Sequence, residues 1–107
     1  MIKLNVQASL ETLSNHPESF INLYRHGSLD VELYKPEGQD GQKPRTRDEI
    51  YVIATGSGVF QCGKEKDFVE RGDVLFVAAG VKHSFLNFTQ DFSTWVFFYG
   101  PEGGEQF

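Results

Sequence analysis

The chain has 107 residues, 39% of them hydrophobic and ten of them phenylalanine, enough to build one core and too apolar for a disordered segment. Ten basic against fifteen acidic residues leave a net charge of −5, so the basic surface that displaces counterions from nucleic acid is missing and nucleic acid is not expected as a partner. A single cysteine, Cys62, excludes an intramolecular disulfide framework, and with no leader-like or membrane-length apolar run the expectation is a cytoplasmic protein without a membrane partner.

Residues 1–18 are predicted as an extended arm, with a strand near Lys3–Val6 and a helical turn around Leu10–Leu13 that Pro17 prevents from continuing. A strand follows over Ser19–Tyr24, and His26-Gly27-Ser28 turns it into Leu29–Lys35. There the alternation predicts Leu29, Val31 and Leu33 inward and Asp30 and Glu32 outward. Pro36–Gly41 is a loop by composition. Asp48–Thr55 is apolar on both faces after its acidic start, as in a strand packed between layers. Gly-rich turns then separate Val59–Cys62, Asp67–Val69 and Val74–Val77. The strand after Gly80 places Val81, His83, Phe85 and Asn87 on one face, and Ser93–Tyr99 is again apolar on both. Eight or more short strands, with no helix of any length, predict an all-β sandwich or barrel.

Gly72, Gly80, His83 and Asn87 stand at the spacing G-x5-P-x-G-x2-H-x3-N, with Ala78 in the place of the proline. This resembles the second conserved motif of the cupins. Glu49, followed by Gly56, fits the second half of the first motif, G-x5-H-x-H-x3or4-E-x6-G. Its two histidines would fall at Lys43 and Arg45, or at Gln42 and Pro44, and none of the four is histidine. The resemblance spans roughly residues 29–99. It implies one cupin domain over 1–107, a jelly-roll barrel of two antiparallel sheets. Small bacterial cupins share the run RDEIYVI…GSG and the ending FYGPEGGE, and many of them carry histidine where Arg45 stands here. Cupins usually pair through apolar surfaces, so a homodimer is expected.

In metal-binding cupins the motifs supply two histidines, a glutamate and a further histidine. The resemblance leaves Glu49 and His83 of that set, a weak and incomplete pair for iron, manganese, nickel or zinc. An inward Arg45 guanidinium about 4 Å from a dication would add roughly 8 kcal/mol of repulsion at an effective dielectric of 20. Paired with Glu49 instead, it takes over the neutralisation of the carboxylate. The expectation is therefore no cofactor, and a pocket in which Arg45, Glu49, Tyr51, His83 and Phe85 hold a small organic, anionic ligand. The alternative is a metal-dependent cupin enzyme, of dioxygenase or isomerase type, using Glu49, His83 and one more ligand. A third reading places the function in the dimer surface. Each polar residue also has a structural role open to it: His83 as a core histidine bonded to Glu49 or Asn87, and Asn87 as a turn residue. Tyr51, Phe60, Phe85, Trp95 and Phe97 are read as core lining. Cys62 is read as a small buried hydrophobe, with no histidine near it in sequence.

Overall fold

In the computed structural model, which describes residues 1–106, the chain forms one helix and eight strands. They are α1 (Val6–Ser14), β1 (Phe20–His26), β2 (Leu29–Tyr34), β3 (Asp48–Thr55), β4 (Ser57–Cys62), β5 (Glu65–Glu70), β6 (Val74–Val77), β7 (His83–Leu86) and β8 (Ser93–Tyr99). A five-stranded sheet in the order β1-β2-β8-β3-β6 faces a three-stranded sheet in the order β5-β4-β7. Every strand pair is antiparallel. No helix among the described residues is long and apolar enough to cross a membrane.

Three of the four changes of sheet fall at a glycine, Gly56, Gly72 and Gly80, and the fourth, from β7 to β8, passes through Asn87 at φ +49°. Gly56 adopts φ +72°, and a Cβ there would lie 2.7 Å from the Phe92 backbone, so only glycine carries β3 over into β4. The core lies between the sheets, where Phe85 meets Tyr51, Phe60 and Phe92 at ring-centroid distances of 5.1, 4.8 and 4.8 Å. Burying each such ring stabilises the fold by about 1.5–3 kcal/mol, and the tilted and edge-on geometries add to that.

Three expectations are corrected. The strand near Lys3–Val6 does not form. Instead Asn5 caps a nine-residue helix, its Oδ1 accepting the Ala8 N–H at 3.0 Å, and Asn15 closes the other end. A side-chain cap and a helix-compatible run from Val6 outweigh the short β-like pattern before it. The faces of β2 are also reversed. Register pairs Glu32 with Val96 and Val96 with Tyr51, so Asp30, Glu32 and Tyr34 share the inner face of the sheet. Val31 and Leu33 lie on the outer face and are buried even so, because α1 packs on β1 and β2. The same register turns Val96 and Phe98 of β8 inward and leaves Trp95 and Phe97 half-buried on the outer face, outside the core cluster. Alternation was legible; which side was the inside was not, because a polar interior and a helix-covered exterior invert the usual rule.

Candidate functional site

Strand register brings Glu49 and Tyr51 of β3 opposite the inner face of β7, which carries His83 and Phe85. Both side chains of the Glu49–His83 pair are 1% exposed, and Nε2 of His83 lies 2.9 Å from Oε1 of Glu49. The same nitrogen lies 2.9 Å from Oη of Tyr51, and Nδ1 donates to the Val81 carbonyl at 2.9 Å. A carbonyl only accepts, so Nδ1 carries a proton and Nε2 is the atom that gains or loses one. Burial alone would lower the His83 pKa. The Glu49 carboxylate and the Val81 carbonyl outweigh it, and the imidazole titrates above its ordinary value. Oε2 of Glu49 is buried with no hydrogen-bond partner. The imidazole therefore bonds Glu49 and not Asn87, which takes φ +49° in the turn after β7.

The network continues outward. Tyr51 donates through Oη to Oε1 of Gln42 at 2.9 Å, and Gln42 Nε2 donates to Oδ2 of Asp40 at 3.1 Å. Asp40 also accepts from Tyr34 Oη at 2.5 Å, from the Gln42 N–H at 3.1 Å and from the Phe85 N–H at 2.7 Å. Phe85 sits on β7, an edge strand of its sheet, so Asp40 supplies the acceptor that a further strand would have given. One loop carboxylate thus fastens the β2–β3 connection to both sheets. Burial and the neighbouring carboxylates push the Tyr34 and Tyr51 hydroxyls well above their usual range, so both remain donors. Chemically this arrangement can hold a proton on Nε2 of His83. When that proton leaves, Tyr51 can turn its own from Gln42 to Nε2, which couples the imidazole to the loop.

The sequence does not mark Asp40, because an acid in a Gly-rich loop reads as solvated; the signal available is Tyr34, six positions earlier, which gives nothing by itself. Cys62, expected to be buried, is only half-buried. Its cross-strand partner is His83, although the two are far apart in sequence. The thiol is still a poor nucleophile, because burial and then the Glu65 and Glu49 charges raise its pKa.

Arg45 does not join this group. Its guanidinium stacks on Phe98, with Cζ 5.0 Å from the ring centroid, and it makes no ion pair with Glu49 or any other acid among the described residues. It lines a cavity of about 440 Å³ at the barrel opening, together with Glu32, Tyr34, Gln42, Val96 and Phe98. The five residues expected to form one pocket are therefore divided. Arg45 faces open space, whereas Glu49, Tyr51, His83 and Phe85 are packed behind it, and Gln42 touches both. Burial pushes the Glu32 carboxyl up, and the Arg45 charge pulls it part of the way back.

A transition metal of the kind the motif implies needs a third donor. Gln42, whose amide oxygen is taken by Tyr51, is the residue nearest in the network. Arg45 is turned away, and among the described residues no three His, Cys, Asp or Glu side chains converge. Glu49 and His83 are engaged with each other, and the donor set does not fit such a centre.

The two-sheet antiparallel barrel, with a histidine and a glutamate facing each other from β7 and β3, is a cupin barrel. Solved structures agree. A cupin-2 domain protein from Shewanella frigidimarina superposes with a TM-score of 0.72 over 91% of this chain and 94% of its own, at 13% identity. A cupin superfamily protein from Desulfitobacterium hafniense gives 0.64 over 77% and 76%, at 19% identity. A cupin 2 conserved barrel domain protein from Salinispora arenicola gives 0.64 over 76% and 74%, at 17% identity. In sequence, an uncharacterized protein of Streptomyces coelicolor, SCO3923, is 34% identical over 86 residues, covering 78% of this chain and 82% of its own. No protein-family model matches the chain. The chain has the cupin fold, and it belongs to the same family as the S. coelicolor protein.

Proposed function

We propose that this cupin binds a small organic ligand in the cavity at the barrel opening, with Arg45 as its contact to an anionic group. The observation that carries this reading is the cavity itself. At about 440 Å³ it falls within the usual size range of small-molecule sites, and it presents an unpaired guanidinium beside the apolar surfaces of Val96 and Phe98. Arginine is suited to that role because its planar fork meets a carboxylate or phosphate at two points. Glu49, Tyr51, His83 and Phe85 support the wall from behind by holding Gln42 in place. Calorimetric titration with benzoate and with inorganic phosphate tests the reading. Binding weakened about tenfold or more in Arg45→Ala is expected, and equal binding by both proteins would overturn the assignment of Arg45.

The alternative, a metal-dependent enzyme built on Glu49 and His83, has one observation in its favour, the unpartnered Oε2 of Glu49. It lacks a third ligand. Elemental analysis of tag-free protein purified without chelator, beside His83→Ala, separates the two readings: near one equivalent of metal, lost in the variant, would support the enzyme.

A homodimer through the outer face of the five-stranded sheet forms part of the same proposal. Two cross-strand rows on that face are apolar throughout, Phe76-Ile50-Phe97-Val31-Tyr24 and Val74-Val52-Trp95-Leu33-Ile21. Helix α1 lies toward the β1–β2 end. At the β6 end Val74 and Phe76 are 65% and 57% exposed.

A further inference from the structure

Two unpaired charges of opposite sign face the cavity. Arg45 is described above. Glu32 projects from β2 on the inner face, lines the same cavity, and among the described residues its carboxylate makes no hydrogen bond and no ion pair. Neighbouring Asp30, by contrast, is fully engaged, with Arg25 Nε at 2.9 Å and an Arg47 nitrogen at 2.7 Å. A half-buried carboxylate left without a partner is costly in an interior that otherwise pairs its charges. The free protein meets part of that cost by holding the Glu32 proton more tightly.

The two charges do not neutralise each other, although Arg45 is close enough to be felt at Glu32. Strand β8 runs between them. Glu32 is the register neighbour of Val96, and Arg45 stacks on Phe98, two positions further along the strand. At about 3.4 Å per residue the two β8 positions they stand beside, Val96 and Phe98, are roughly 7 Å apart along the strand, and the inward side chains of both make an apolar floor. The rim carries one further charge of each sign, Glu18 and Lys43, and so does not bias the opening either way.

The geometry points to an amphoteric ligand: a small molecule with a cationic nitrogen for Glu32 and a carboxylate for Arg45, joined by a short apolar spacer. This rests on the cavity being the ligand site and adds to that reading the second charge and the spacing. A simple acid would leave Glu32 unpaired, and a simple amine would leave Arg45 so. An α-amino acid places its charges too close together to reach both, whereas a chain of four or five carbons spans them.

The test compares 5-aminopentanoate with pentanoate, pentylamine and glycine, by NMR titration of the wild-type protein and of Glu32→Gln and Arg45→Gln. The wild type is expected to bind 5-aminopentanoate about tenfold or more tighter than any of the other three. Glu32→Gln should remove the preference for 5-aminopentanoate over pentanoate, and Arg45→Gln should weaken both acids. Equal affinity of the wild type for 5-aminopentanoate and pentanoate would overturn the inference and leave the simple-anion reading standing. Failure of all four to bind the wild type at millimolar concentration would overturn both. The wild-type comparison decides the matter even if a variant does not fold.

Discussion

Oε1 of Glu49 and Nε2 of His83 lie 2.9 Å apart with both side chains 1% exposed, a pair inside an aromatic core that is ionic while His83 is protonated. Its two charges are mutually dependent. Removing one leaves the other buried without compensation, at a cost of about 3–5 kcal/mol. His83→Leu and Glu49→Met are each expected to lose stability in that range, and the double variant less than the sum of the two. Urea denaturation of the four proteins measures this coupling. Additive losses would show that the two groups do not interact.

The pair also sets a pH dependence. The His83 pKa is raised in the folded state, because the Glu49 carboxylate and the Val81 carbonyl prevail over burial. A group with a raised folded pKa contributes stability that is complete below its unfolded value of about 6.5 and is lost as pH rises through the folded value. The wild-type denaturation midpoint should therefore fall on going from pH 6 upward into the alkaline range. His83→Leu should lack that component, and an identical fall in both proteins would place its origin elsewhere.

Asp40 is the fastening of the β2–β3 loop. Asp40→Ala removes the acceptor of the Phe85 N–H, of Tyr34 Oη and of Gln42, and leaving buried donors unsatisfied costs about 1–3 kcal/mol. Beyond a lower midpoint, hydrogen exchange at the Phe85 amide should accelerate more than at amides of the β3–β8 ladder. Uniform acceleration across both sheets would mean that the loop is not held locally.

The exposed part of the outer sheet face yields a prediction on assembly. Phe76→Lys places a charge on the apolar row at an exposed position, so it should leave the fold intact and reduce the sedimentation coefficient of a dimer to that of a monomer. A wild-type protein that sediments as a monomer would contradict the assembly.

How far the sequence reached differs from one part of the molecule to another. The turn glycines Gly56, Gly72 and Gly80 and the alternation of His83 and Phe85 made the barrel and its second motif legible, because those features depend on local backbone conformation. Glu49 facing His83 was also legible, through the spacing of the two motifs. The position of Arg45 was not, since a long side chain beside a proline has both a buried and an outward option, and its stacking on Phe98 decides between them. The alternation of β2 predicts Glu32 in solvent, because an acid on such a strand is usually there. Only the register with Val96, together with the helix covering Leu33, shows that the polar face is the inner one. Asp40 and the Cys62–His83 neighbourhood arise from long-range pairing that no local pattern records.

Ligand binding at the barrel opening is tested most directly by titrating benzoate into isotopically labelled protein and following the backbone amides. Residues of the cavity wall, Glu32, Arg45, Val96 and Phe98, should shift in a saturable manner, and Arg45→Ala should weaken the binding about tenfold or more. No saturable shift, or shifts confined to the outer sheet face around Phe76 and Phe97, would contradict a ligand site in the cavity.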